Sequence, residues 1–343
     1  MLQKIGIPIM SFLTLLTMSH LCVAVEATPP GVILDTDFRS DVDDAGALAL
    51  LNALADNGEC ELLGVVASQT GPYVVGAINA VNTWYGRGTV PVGLSPVDDQ
   101  RFPDHYAPEI GDPENFASTQ SNATAPDSTT LYRRLLHEAP DKSVVIVVIG
   151  SQTCVHLLLQ SEADSEQDGS INRTGRDLIA AKVRELVLMG GNFSDPAHPE
   201  HNINLDREAA QTVADQWPTP IMYSGFEIGR TVMTGGAMTN PDENPVARAY
   251  ELFPAGGVGT IAASSSYDQT AVYYAVRGFK AEELVLWESS APGRASFPDG
   301  VTRFEREESG THRYLIARAS DEETATVIEA LMIQPPRDRA AAE

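Results

Sequence analysis

The acid-dense stretch Asp35-Thr36-Asp37-Phe38-Arg39-Ser40-Asp41-Val42-Asp43-Asp44 follows directly on the apolar run Gly31-Val32-Ile33-Leu34 and places five carboxylates within ten residues. The apolar run predicts a buried strand, and Ala45-Gly46-Ala47-Leu48-Ala49-Leu50-Leu51 predicts a helix start. The acids therefore fall at a strand-to-helix turn, and in open α/β sheets ligands gather at the carboxyl ends of strands. Like charges crowded there are costly to bury without a positive partner. All-oxygen donors suit a hard divalent cation, Ca²⁺ or Mg²⁺. Taken singly, Asp43 or Asp44 has a plainer role as a helix N-cap or a solvated surface acid.

The rest of the chain sets limits on what this turn serves. Its 343 residues, 43% hydrophobic and 20% charged, suit a soluble globular protein with a sizeable core. A formal net charge of −24 argues against nucleic acid or an anionic membrane surface as partner. Residues 1–27, with Lys4, an apolar middle and small residues near Ala27, read as a secretory signal peptide, so that the mature protein is expected to be secreted or periplasmic. Polar interruptions make the stretch a poor bilayer span, and no membrane association is expected after cleavage. Cys60 and Cys154 are expected as semi-buried free thiols. Asn122, Asn172 and Asn192 match the short glycosylation pattern, a weak signal.

Strand and helix signals alternate along the chain. Strands are expected at 60–67, 91–94, 143–150, 185–189 and 220–225, and helices at 73–85, from 131, at 154–160, 207–214, 270–276 and 321–332. This predicts an α/β fold: a single domain over 28–334, built on a mostly parallel, doubly wound (Rossmann-like) sheet flanked by helices. Leu284–Trp287 and Arg313–Ala317 are expected as a small peripheral antiparallel addition, and 335–343 as a flexible tail. Between 95 and 129 the periodicity fails, and a loop of that length reads as a lid or as a structureless excursion.

Polar clusters then stand at strand ends: Asp35–Asp44, Thr70-Gly71, Ser151–Thr153, and Asn192 through Asp206, with Asp268 opening a later helix. In a doubly wound sheet these ends lie side by side. Asp268 can complete a cation shell begun by the N-terminal acids, with a backbone carbonyl near Thr153 as a neutral donor, a mixture suited to Ca²⁺. A carboxylate touching a water polarised by that ion gives metal-assisted hydrolysis, with no substrate specified.

Asp35-Thr36-Asp37, Asp43-Asp44-Ala45, Leu188-Met189-Gly190-Gly191, Glu200-His201-Asn202-Ile203-Asn204-Leu205-Asp206-Arg207-Glu208-Ala209-Ala210 and Tyr267-Asp268-Gln269 together resemble the inosine–uridine-preferring nucleoside hydrolase family, in order from about residue 31 to 280. The resemblance implies one α/β domain assembled into dimers or tetramers, one bound Ca²⁺, and hydrolysis of ribonucleosides to ribose and free base. It implies Asp37, Asp44, Asp268 and the Thr153 carbonyl as metal ligands, and Asp37 as the base acting on water. Asp43, Glu200 and Asn202 would hold the sugar, Met189 would line its pocket, and Tyr267 would face the substrate.

The chain departs from the family's pattern at three places. Five residues separate Asp37 from Asp43, a longer spacing than is usual, so Asp41 is extra. Thr70-Gly71-Pro72 replaces a Gly-Asn pair, and Tyr267 stands where many members carry the histidine that protonates a purine leaving group. Tyrosine, with an ordinary pKa near 10, donates a proton less readily. His105 in the long loop is a candidate donor, with a solvated imidazole as its plainer role. Two other functions fit parts of the pattern: a non-catalytic module binding Ca²⁺ and a sugar, and a haloacid dehalogenase-type phosphatase, whose phosphate-binding lysine Lys142 and Lys182 are poorly placed to supply.

Overall fold

The computed structural model describes residues 1, 28–39, 41–97, 103–164, 171–253, 257 and 259–337. The expected signal peptide beyond Met1 and the tail beyond Arg337 lie outside the described residues. Six strands run in parallel: β1 (Gly31–Thr36), β2 (Glu61–Ala67), β3 (Val92–Leu94), β4 (Val144–Val148), β5 (Val183–Met189) and β6 (Ile221–Ser224). Their spatial order is 3-2-1-4-5-6, so the winding reverses between β1 and β4. A crevice opens at such a reversal, outside the carboxyl ends of the two strands.

Both central strands are buried along their whole length, which is why they read as continuous apolar runs rather than alternating ones. Successive side chains still point to opposite faces. Val32, Leu34, Val145 and Val147 join the core under the helices Asp43–Asp56, Val74–Trp84 and Tyr267–Arg277. Ile33, Val144, Ile146 and Val148 join the other core, under Ser128–Glu138, Thr153–Gln160 and Arg207–Gln216. The Asp43–Asp56 helix is buried from Asp43 to Leu54, packed between the sheet, the Tyr267–Arg277 helix and the Asp321–Met332 helix. It starts at Asp43, two residues before the apolar run that announced it.

The peripheral antiparallel addition is present, with its pairing changed in detail. His312–Ala317 does not form a separate peripheral unit: it pairs parallel with β6 and so extends the main sheet, while Trp287–Ser289 pairs antiparallel with it. Leu284–Val285 instead pairs with Lys280–Ala281 in a two-residue hairpin ladder. Two further antiparallel strands, Gly293–Ser296 and Arg303–Arg306, close that edge.

The stretch after β3 is not structureless. It contains a helical turn at Ala107–Ile110 and is tied down by side chains. Asn79 Oδ1 accepts from the backbone of Thr119 and Gln120, Gln120 bonds Val92 N and Val90 O, and Asn122 bonds Val75 N and Gly71 O. Residues 98–102 of this segment lie outside the described residues.

Cys60 and Cys154 are both buried and unpaired, as expected. Asn192 is only 5% exposed, which leaves no room for a glycan in the folded chain. No described helix is long and apolar enough to cross a membrane.

Candidate active site

The acidic turn sits at the crevice beside β4. Asp43 and Asp44 occupy the first turn of their helix, and Asp268 occupies the first turn of Tyr267–Arg277, where negative charge is favoured by the exposed N–H groups. The two helix starts meet: Asp268 N donates to Asp43 Oδ2 at 3.3 Å. Carboxylate oxygens of Asp43, Asp44 and Asp268 all lie within 4.8 Å of one another, and all three residues are buried. Burial, followed by the neighbouring acids, holds all three carboxyls well above the usual carboxylate range. A buried group of like charges needs a counter-charge, and an all-carboxylate donor set fits a hard divalent cation. The chemistry of the donors is therefore that of a cation site.

Asp37 lies close enough to raise the pKa of Asp44 and Asp268, and it lines the same hollow. Gln69 Nε2 donates to its Oδ2 at 2.8 Å. Gly150 packs against its other side: a Cβ there would lie 2.9 Å from Asp37 Oδ1. Thr36 Oγ1 bonds Asp44 in a very short contact. Behind this group Asp35, fully buried, accepts from Tyr132 Oη at 2.8 Å, and burial pushes its carboxyl up to about 8.

The acids form the floor of a hollow of 390 Å³. Ile149, Met189, Glu200 and Asn202 are its buried walls, while Asp41, Pro103, His105, His201, Phe226 and Tyr267 are half-buried or exposed and form its rim. Asn202 Nδ2 is committed to Ile149 O at 2.9 Å and Met189 O at 3.2 Å. Its Oδ1 is thus the end left for a ligand. Glu200 caps the His201–Leu205 helix, accepting from Asn202 N, Ile203 N and Gly191 N, yet burial still raises its pKa. Tyr267 stacks on Phe226 with ring centroids 5.1 Å apart, and Arg230 covers the Phe226 ring at 5.6 Å.

Of the residues singled out in the sequence, Asp37, Asp43, Asp44, Met189, Glu200, Asn202, Tyr267 and Asp268 all line this hollow. Thr153 is not among its lining: its hydroxyl donates to Asp206 Oδ2 at 2.7 Å, and Asp206 in turn caps the next helix through Ala209 N. Ile149, His201, Phe226 and Gln69 were not singled out. Phe226 follows directly on the β6 strand end, so the strand-end rule applied there would have found it. A larger hollow of 610 Å³, around Trp84, Arg87 and Phe116, lies at the far end of the Asp43–Asp56 helix. Asp56, Asp242 and Glu243 line it, but among the described residues they form no cluster like that of Asp43, Asp44 and Asp268, and the candidate chemistry belongs to the smaller one.

A doubly wound α/β domain with a buried carboxylate cluster and a sugar-sized hollow at its winding reversal defines a metal-site protein acting on a small polar molecule. Its family is set by sequence. The chain belongs to the inosine-uridine preferring nucleoside hydrolase family, whose model matches residues 32–286. It is accordingly an N-glycosyl hydrolase by family, and the phosphatase alternative is set aside.

Solved structures share the fold. A plant nucleoside hydrolase matches with a TM-score of 0.62 at 17% identity, over 90% of this chain and 100% of that one. A purine-preferring ribonucleoside hydrolase from Gardnerella vaginalis matches with a TM-score of 0.61 at 19% identity, over 88% and 99%. The type III effector protein XopQ, solved with adenosine diphosphate ribose, matches with a TM-score of 0.65 at 16% identity, over 90% and 94%. No curated protein sequence matches this chain.

Proposed function

We propose that this chain is an exported, Ca²⁺-dependent ribonucleoside hydrolase that releases ribose and free base. The observation that carries the proposal is the meeting of Asp43 and Asp44 with Asp268, more than two hundred residues away in sequence, on the floor of one hollow. Asp37, Asp44 and Asp268 are the proposed carboxylate ligands, with Asp43 beside them and the Thr153 carbonyl as the neutral ligand implied by family resemblance. When bound, the ion supplies the charge that orients water and sugar hydroxyls against these carboxylates.

The chain's own residues do the rest. The Gln69 amide donates to Asp37 Oδ2 and fixes this carboxylate beside the acid cluster, where it takes the proton of the attacking water. Asn202 Oδ1 and the carboxylates of Asp43 and Glu200 accept sugar hydroxyls, and Met189 packs against the ring. Departure of the base leaves positive charge on the sugar. Acids fixed around it stabilise that charge without having to reorganise.

Small-molecule nucleosides are the proposed partners, with no role for nucleic acid, and assembly into dimers or tetramers is checked by light scattering. The decisive assay is release of reducing sugar from inosine and uridine with Ca²⁺ present. Chelation should abolish it, and Asp37→Ala should lower kcat by ~10²–10⁴-fold. A chain that releases no sugar from any N-riboside is not a hydrolase.

A second function is favoured by one observation: Tyr267, not histidine, lines the rim of the hollow. Binding of Ca²⁺ and ribose without turnover is that alternative, and calorimetric ribose binding with no product would select it.

A further inference from the structure

The rim of the hollow carries two imidazoles to which the function proposed above gives no role, and one carboxyl near both. His105 and His201 line the hollow with Asp41, whose carboxyl burial holds above its usual range, and both imidazoles are within electrostatic reach of it. His105 is also held in place. The chain from Pro103 to Tyr106 is sewn to the acidic turn at successive residues. Asp104 Oδ1 lies 2.8 Å from Arg39 Nε, off the line of a hydrogen bond, as an ion pair in which Arg39 is only 2% exposed. Arg39 Nη1 donates to Thr70 O at 2.9 Å, and the His105 N–H donates to Arg39 O at 3.1 Å. Tyr106 Oη donates to Asp41 O at 2.6 Å, and the Tyr106 ring packs edge-on against Phe38 at 5.4 Å. The His105 ring itself stands edge-on to Phe253 at 5.8 Å.

We propose that His105 is the proton donor to the departing base, positioned by the Arg39–Asp104 latch and by Asp41, in place of the histidine that Tyr267 replaces. The proposal rests on the hydrolase function above and deepens it. With the sugar on the buried acid floor, the base extends toward the half-exposed rim, where His105 stands. The C1′–N bond breaks with its electron pair going to the base nitrogen. The His105 imidazolium supplies the proton that neutralises the base. Water adds to C1′ and gives its proton to Asp37, and both side chains return to their starting state by exchange with solvent. Asp41 is a positioning residue: its carboxyl lies within electrostatic reach of the His105 ring at the same rim and orients it. His201 lines that rim as well, exposed.

The test compares two substrates on the full chain with Ca²⁺: inosine, whose base must be protonated to leave, and p-nitrophenyl riboside, whose phenolate leaves unaided. His105→Gln should lower kcat/KM for inosine by ~10²–10⁴-fold while the aryl riboside changes by less than ~5-fold. Asp41→Asn should show the same split to a smaller extent, with KM for the aryl riboside unchanged. Thermal unfolding and Ca²⁺ binding measured on each variant exclude loss of fold as the cause. Equal losses on both substrates, or no loss on inosine, overturn the assignment of His105. A wild-type chain that turns over neither substrate overturns the hydrolase function and this assignment with it, whereas aryl riboside turnover retains the former while the variants decide the latter.

Discussion

Replacing Asp268 by asparagine should separate the two jobs of the buried acid cluster, because it removes one charge while keeping the shape of the side chain. In the wild-type chain without a cation, Asp43, Asp44 and Asp268 keep their protons to higher pH than the unfolded chain does, since burial and mutual repulsion disfavour the charged forms. The sign follows from proton counting. At these three groups the folded state binds more protons than the unfolded state above about pH 4, so their contribution to stability is largest in acid and falls as pH rises.

Added Ca²⁺ reverses the penalty, because the ligands ionise on binding and release protons. At ~100 times its Kd the ion adds ~2.7 kcal/mol to the folded state. Unfolding entropy of ~2.1 cal/mol/K per residue over 343 residues comes to ~0.7 kcal/mol/K, so the wild-type Tm should rise by ~4 °C. Asp268→Asn should be at least as stable as the wild type without Ca²⁺ at pH 7.5, and should gain less than ~1 °C with it. Differential scanning fluorimetry at pH 5.5 and 7.5, with chelator or Ca²⁺, reads both effects. A wild-type Tm that ignores millimolar Ca²⁺, or a variant that still gains the full shift, refutes the cation site.

Two other consequences follow from buried positions outside the acid cluster. His312 is 4% exposed and accepts the Ala295 N–H on Nδ1 at 3.0 Å, and burial pushes its pKa down from 6.5 to about 4. Stability that is present above pH 6.5 is therefore lost as pH falls toward 4, by ~3 kcal/mol at ~1.4 kcal/mol per pH unit; urea titrations should show this loss in the wild type and a flatter profile in His312→Gln. Gly229 leaves no room for a methyl group, since its Cβ would meet Tyr267 Cα at 2.3 Å and Ser266 O at 2.6 Å. Gly229→Ala should cost ~1–3 kcal/mol in stability and, by shifting the helix start that carries Asp268, weaken Ca²⁺ binding as measured by calorimetry.

What the sequence disclosed, and what it withheld, follows from the range of each force. Val32-Ile33-Leu34 and Val144–Val148 were legible as strands because strands buried on both faces must be apolar throughout, and the acids after β1 were legible because charge at such a position needs a reason. Strands Gly293–Ser296 and Arg303–Arg306 were not, because at a sheet edge one face and one flank meet solvent and Arg, Ser and Glu are tolerated there. The ordering of 103–129 escaped for another reason. Its backbone is held by the side chains of Asn79, Gln120 and Asn122, and such bonds leave no periodicity. The cluster of Asp43 with Asp44 and Asp268 depends on which way side chains point from two helix starts, and spacing along the chain carries no direction.

Two of the three departures named in the sequence are joined by contacts to the segment that carries His105. The longer acidic loop contributes Arg39 and Asp41. Arg39 reaches the altered segment after β2 through Thr70 O and holds Asp104, whose Oδ1 would lie 2.7 Å from a Cβ at position 71, so glycine there is what lets the latch close. With Asp104 fixed, the His105 backbone is held at the rim of the hollow that Tyr267 also lines. Tyr267, in the helix that carries Asp268, stacks on Phe226 as a flat wall of the same rim. On the assignment proposed above, loss of the usual acid on one element and the anchored imidazole on another are two ends of one rearrangement, with the acid floor between them.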